Sequence, residues 1–323
     1  MRVSTLIRLA LLPFAFVSIL ASAQNYPSKS ITLVAPFAPG GNVDIVARAL
    51  AQSLSQTLGQ SVTVDNRAGA GGSIGSSYVS HADPDGYTLL VATTNTISVL
   101  PYMLKNPPYQ PNQFQPVGLA AISPLIMVVR ADDNRFPNAG ALIAAAKKSP
   151  GLVSVGHSGL GTSNNIAILR IEDTAKVNFN VIPYKGSAPA LTDLIGGQLD
   201  FMIDQLSSSK PFIDSGKLKI LAVLSKERDP STPTAPTFLE ATNIDVQANT
   251  ISGLLAPPKT PASIIGVLNS ALVKAAQDPT YKARLIAVGS IPKSSTPQVW
   301  ADALDQEARN SEKLVQAGKL KAE

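Results

Sequence analysis

Apolar and polar positions along this chain repeat in one order: a short apolar run, a glycine-bearing break, then an amphipathic helix. The run Ile31–Ala35 is apolar and rich in β-branched residues, the pattern of a short buried strand. Residues 36–41 (PFAPGG) break it. Asn42 can cap the helix that follows, whose apolar stripe is Val43, Val46, Leu50, Leu54 and Leu58 and whose end is marked by Gly59. A strand at 61–65, a loop at 66–72 (NRAGAGG), a helix to about His81, a turn at 83–86 and a strand at 87–92 complete a βαβαβ order.

A proline-rich crossing between Pro101 and Pro116 leads into a second set. It reads as a strand at 126–129, a helix at 138–148, a strand at 152–155, a loop at 156–161 (GHSGLG) and a helix from Thr162. A strand at 181–182, the loop 184–187 (YKGS), a helix ending at Gly196 and Gly197, a strand at 201–203 running into Asp204, and a strand at 219–224 follow. Beyond 256–258 (APP) the chain is mainly helical, near 262–277, 279–287 and 297–316. This predicts an α/β protein of two lobes around a cleft, each lobe a mostly parallel sheet flanked by helices. Ligands in such sheets lie beyond the carboxyl ends of the strands, and the loops at 36–42, 156–162 and 183–187 all fall there.

The first residues have a different pattern. Arg2 and Arg8 precede a short apolar stretch at 9–20, and Ala21, Ser22 and Ala23 supply small residues for cleavage. The stretch is shorter than the roughly 20 apolar residues a spanning helix needs, and Pro13 interrupts it. The expectation is a signal peptide over 1–23, cleaved near Ala23, and a periplasmic mature protein. A first lobe is expected from 24–129 and 250–323, and a second from 130–249.

Composition narrows the chemistry. The 323 residues are 45% hydrophobic and 15% charged, which excludes a disordered chain. There is no cysteine, hence no disulfide, thiolate metal site or cysteine nucleophile. With two histidines, His81 and His157, neither a metal nor a cofactor is expected. The net charge of +5 falls to +3 once residues 1–23 are set aside, and Lys147 and Lys148 form the only adjacent basic pair thereafter, so no nucleic-acid stripe exists.

Two motifs invite enzymatic readings. Residues 71–75 match G-x-S-x-G, which would make Ser73 the nucleophile of a secreted serine hydrolase, with Asp132 or Asp133 and His157 completing the order. Six loop residues, however, separate the preceding strand from Ser73, where a nucleophile elbow has none. Residues 69–71 begin like a dinucleotide fingerprint, but Ile74 stands at the third glycine position, and no phosphate-cradling G-x-x-x-x-G-K-[ST] occurs.

The loops before the helices at 42 and 162 share another logic. Each places a side-chain-poor turn before a helix N-terminus, where unpaired N–H groups and the helix dipole favour an anion. Asn42, Thr162 and Ser163 add side-chain hydrogen bonding. Asp44 can complement the helix dipole and pair with Arg48 one turn on, or it can fix the loop or meet a ligand amine, and Asp204 can do the same from its strand end.

At these residues the chain resembles the substrate-binding proteins of tripartite tricarboxylate transporters, the Bug or TctC-like family. The likeness rests on Tyr26-Pro27 and on residues 37–44 (FAPGGNVD), 64–72 (VDNRAGAGG), 84–90 (PDGYTLL), 183–198 (PYKGSAPALTDLIGGQ) and 252–258 (SGLLAPP). The resemblance implies a two-lobed periplasmic binding protein, not an enzyme, that closes on a small carboxylate and presents it as a monomer to membrane permease subunits. A receptor feeding a sensor is the alternative within this class. The carried-over cleft residues are Pro39, Gly40, Gly41, Asn42 and Asp44 in the first lobe. In the second they are Ser158, Gly159, Gly161, Thr162, Ser163, Asn165, Tyr184, Lys185, Gly186, Ser187 and Asp204. The family often has His where Asn165 stands.

Overall fold

The computed structural model describes residues 26–316; the segment read as a signal peptide lies outside them. In the first lobe, β1 (Ile31–Ala35), α1 (Asn42–Leu58), β2 (Val62–Asn66), α2 (Ser73–Ser80) and β3 (Thr88–Thr93) follow one another, and α3 (Thr94–Ser98) leads toward the crossing strand β4 (Gln115–Arg130). The second lobe comprises α4 (Ala139–Lys148), β5 (Ser154–His157), α5 (Ser163–Ala175), β6 (Asn180–Pro183), α6 (Ser187–Ile195), β7 (Phe201–Gln205), α7 (Leu206–Asp214), β8 (Leu218–Val223) and α8 (Phe238–Thr242). The chain returns along β9 (Asn249–Ala256) and finishes in the first lobe with α9 (Ala262–Ala275), α10 (Pro279–Ala287), β10 (Ile291–Pro292) and α11 (Pro297–Gln316).

The sheet is mixed. β1 pairs in parallel with β2 and β3, and β5 in parallel with β6 and β7, as their intervening helices require. The antiparallel pairs involve the crossing strands: β9 joins β3 to β4, and β4 also pairs β7, β8 and β10. Residues 115–124 of β4 face β9, whereas residues 125–130 face β7 and β8, so a single strand changes partners at Pro124/Leu125.

That strand differs from the short one expected at 126–129. Pro116 and Pro124 each lack an N–H, which reads as a break in sequence. In the fold, Pro116 sits at a register shift beside Gly118 and Pro124 at the change of partner, so both missing donors fall where the ladder is irregular or ends. β9 and α7 were not expected either: α7 is serine-rich and contains Pro211.

Each lobe has its own core. Val43, Val46, Leu50 and Leu54 bury the stripe of α1 against Leu33, Leu89, Leu268 and Leu272. Met127, Val129, Ile168, Ile171 and Phe201 hold the second lobe. A smaller apolar cluster spans the cleft, with Val99 and Met103 from the first lobe meeting Ile166 and Leu160 from the second.

Candidate functional site

The loops at the carboxyl ends of β1, β3, β5, β6 and β7 meet between the lobes around a cavity of about 20 Å³ lined by Phe37, Gly41, Asn42, Val43, Thr93, Ser158, Thr162, Ser163, Asn164, Ser187 and Gln205. Such a volume holds about one water. A cavity of this size takes little more than one carboxylate group, so the remaining carbons of a larger ligand would lie outside it. Four helices of eight residues or more begin at this wall: α1 after Gly41, α5 after Thr162, α6 after Gly186 and α7 after Gln205. Their unpaired N–H groups and dipoles make the cavity favourable to negative charge, although no lysine or arginine lines it.

The polar side chains of the wall hold one another. Ser158 donates to Asn164 Oδ1 at 2.8 Å, and the Asn164 amide donates to the Ile203 carbonyl at 2.8 Å. Gln205 Nε2 donates to Asn164 Oδ1 at 3.1 Å and to Thr250 Oγ1 at 3.0 Å, and Thr250 in turn shares a hydrogen bond with Ser163. Thr162 caps α5 and donates to the Gly159 carbonyl at 2.7 Å.

Beneath this wall lies Asp204, fully buried and without a cationic partner among the described residues. Ser187 donates to it at 2.6 Å, Ser208 at 2.6 Å and Ser209 at 2.7 Å. Burial raises its pKa above the usual carboxylate range, and the three hydroxyls oppose that shift. Asp204 thus occupies the first turns of α6 and α7 from inside the second lobe.

Several of the sequence-derived residues brace the loops. Asp44 accepts from the Gly40 amide, Arg48 Nε and Asn66 Nδ2, each at 2.9 Å, so its carboxylate is spent on fixing the loop before α1. Asn165 accepts from the Gly161 amide at 3.1 Å and does the same before α5. Tyr184 donates its hydroxyl to Asp193 at 2.6 Å, and burial with that neighbouring charge pushes its pKa up to about 12. Pro39, Gly40 and Lys185 are exposed.

Gly159, Gly161 and Gly186 serve the approach of lobe to lobe. A Cβ on Gly161 would lie 3.0 Å from Leu100 Cα, one on Gly159 would lie 2.9 Å from Gly71 Cα, and one on Gly186 would lie 3.1 Å from Ala38 N. The Ala38 amide also donates across the cleft to the Lys185 carbonyl at 3.3 Å. The cavity wall itself therefore unites Gly41, Asn42, Ser158, Thr162, Ser163 and Ser187 from the sequence reading. Val43 and Asn164 fall between residues that the motifs did mark, whereas Phe37, Thr93 and Gln205 were missed, although Gln205 adjoins Asp204.

The hydrolase order is not assembled. His157 Nδ1 lies 2.9 Å from the Gly159 carbonyl, His81 Nδ1 lies 2.8 Å from the Ser77 carbonyl, and Asp133 is held by Arg135. Burial lowers the His157 pKa to about 4, so this imidazole is a neutral structural group at physiological pH.

Two lobes joined by crossing strands around a cation-poor, amide-rich cleft define a hinged solute-binding protein. The chain belongs to the family described as the tripartite tricarboxylate transporter family receptor, which matches residues 46–320. It is 38% identical over 299 residues to a Pseudomonas sp. (strain P51) protein, "UPF0065 protein in tcbD-tcbE intergenic region", covering 92% of this chain and 88% of that one. Among solved structures, MatC from Rhodopseudomonas palustris with bound malate is 31% identical at a TM-score of 0.85, with 90% of this chain and 100% of that chain covered. A second R. palustris protein, solved with adipate, is 30% identical at a TM-score of 0.87, with 92% and 100% covered. Family members are periplasmic solute receptors, as the resemblance in sequence implied.

Proposed function

We propose that this protein is an exported receptor that closes its lobes on a small carboxylate and, as a monomer, delivers it to the permease subunits of a tripartite transporter. Residues 1–23 direct export and are removed near Ala23, leaving a periplasmic protein without catalytic activity. The lobes comprise 24–129 with 250–323, and 130–249, hinged where β4 and β9 cross. The carrying observation is the cation-free cavity at helix N-termini, where backbone amides can hold a charged acceptor at about 1.5–3 kcal/mol per hydrogen bond. The malate and adipate held by two solved relatives support the ligand class.

Gly41, Asn42, Ser158, Thr162, Ser163 and Ser187 are assigned to ligand contact. Asp44, Asn165 and Asp204 hold the loops that present them. A thermal-shift screen of mono-, di- and tricarboxylates, amino acids, aromatic acids and neutral sugars tests the proposal. A carboxylate at about 100 times Kd adds roughly 2.7 kcal/mol of stability, on the order of 5 °C in Tm for a protein of this size. If sugars shift Tm and no carboxylate does, the ligand class is wrong.

A further inference from the structure

Among the polar side chains lining the cavity, Asn42 alone has a buried donor without a partner. Its Nδ2 makes no hydrogen bond, although the residue is only 3% exposed and forms part of the wall. Its Oδ1 is doubly engaged: Ser123 of β4 donates to it at 2.6 Å and Ser207 of α7 at 2.7 Å. Ser123 is held in turn by Ser290 at 2.7 Å. Asn42 opens α1 in the first lobe and Ser207 belongs to the second, so the Asn42–Ser207 bond crosses the cleft.

Leaving a buried N–H unpaired costs about 1–3 kcal/mol, and a group held that way needs an acceptor. Resting on the carboxylate reading above, we propose that Asn42 Nδ2 is the side-chain donor that grips the ligand carboxylate, and that Ser207 positions it. In the structure both serine hydroxyls donate to Oδ1, which leaves the Nδ2 edge of the amide facing inward. With Oδ1 turned toward them, Nδ2 faces the carboxylate; the reverse rotamer would aim an acceptor at an anion. Because Ser207 arrives with the second lobe, the amide is locked in its binding orientation only as the lobes close. The grip on the ligand and the closure of the protein are one event, and Ser207 acts through Asn42 without touching the ligand.

The test uses isothermal titration and stopped-flow binding of succinate, malate, adipate and benzoate to the mature protein. Asn42→Asp keeps an oxygen for Ser123 and Ser207 but replaces the inward N–H by a carboxylate oxygen. It should weaken the tightest of these ligands at least a hundredfold, with the Tm of the ligand-free protein little changed. Ser207→Ala should raise the dissociation rate three- to tenfold with the association rate unchanged, and should cost nothing further in an Asn42→Ala background, as expected for one residue acting through another. Wild-type protein that binds none of the four overturns the carboxylate reading and this inference with it. Tight wild-type binding that survives Asn42→Asp overturns the inference alone. Additive losses in the double variant, or a Ser207→Ala effect confined to Tm, remove the positioning role of Ser207.

Discussion

Gly71 and Gly59 offer a matched pair for weighing lobe closure. Their backbones are nearly superposable, at φ 65°, ψ 14° and φ 66°, ψ 14° respectively. An L-residue in this left-handed region costs about 1–2 kcal/mol, so Ala at either position carries the same backbone strain. The surroundings differ. A Cβ on Gly59 meets nothing within 4 Å, whereas one on Gly71 collides with the Leu160 carbonyl oxygen of the opposite lobe and lies 3.2 Å from Leu100 Cδ2.

A backbone carbonyl cannot rotate away as a side-chain tip can. Relief of the clash requires Leu160 to withdraw by about an ångström, and hydrogen bonds that cross the cleft do not survive such a stretch. The bonds at stake are Ala38 to Lys185 and Ser207 to Asn42. At about 1 kcal/mol net for each bond, Gly71→Ala should lose about 2 kcal/mol of ligand affinity, roughly thirtyfold in Kd, while Gly59→Ala binds as wild type. Calorimetric titration gives the affinities, with Gly59→Ala as the control for the shared backbone strain. Equal affinity in the two would mean that the loop carrying Leu160 absorbs the clash locally, and that close lobe contact at Gly71 has no part in binding.

The local units of this fold were legible because their signals are local. The apolar run at Ile31–Ala35 and the stripe from Val43 to Leu58 locate β1 and α1 without reference to any distant residue. Thr162 caps its helix as expected, whereas Asn42 does not: the N-cap of α1 is Gly41, without a side-chain cap, and the Asn42 amide oxygen accepts from Ser123 and Ser207 instead. What failed to show was the crossing between the lobes. Pro116 and Pro124 made β4 look broken, and only the change of pairing from β9 to β7 and β8 explains why a 16-residue strand tolerates them. The site divides in the same way. Glycines before helices suggested backbone approach to a ligand, which is all that a single loop can reveal; the partner that Gly161 meets is Leu100, from the other lobe. The contact between Ser207 and Asn42 joins residues 165 apart, with no spacing rule to mark it. Asp204 was visible as a strand-end carboxylate, but its hydroxyl cage depends on Ser187 together with Ser208 and Ser209 of α7, a helix that the sequence pattern did not show.

Two further outcomes follow from the buried acid and the exposed base. The raised pKa of Asp204 means that the folded state resists ionisation more than the unfolded chain does, so its contribution to stability is full below the ordinary carboxylate pKa of about 3.9 and is lost as pH rises toward the folded value. Denaturant melts should therefore show wild type losing stability relative to Asp204→Asn from about pH 4 upward, and identical slopes in the two proteins would refute the assignment. Lys185 is the one cationic residue in the sequence-derived set, and its side chain is exposed while its carbonyl receives the Ala38 amide. Alanine retains that carbonyl, so Lys185→Ala removes charge alone and should weaken carboxylate binding by less than about tenfold, or roughly 1.4 kcal/mol. If binding disappears instead, the anion is held by an ion pair that forms in the ligand-bound protein, and the helix N-termini are not its main support.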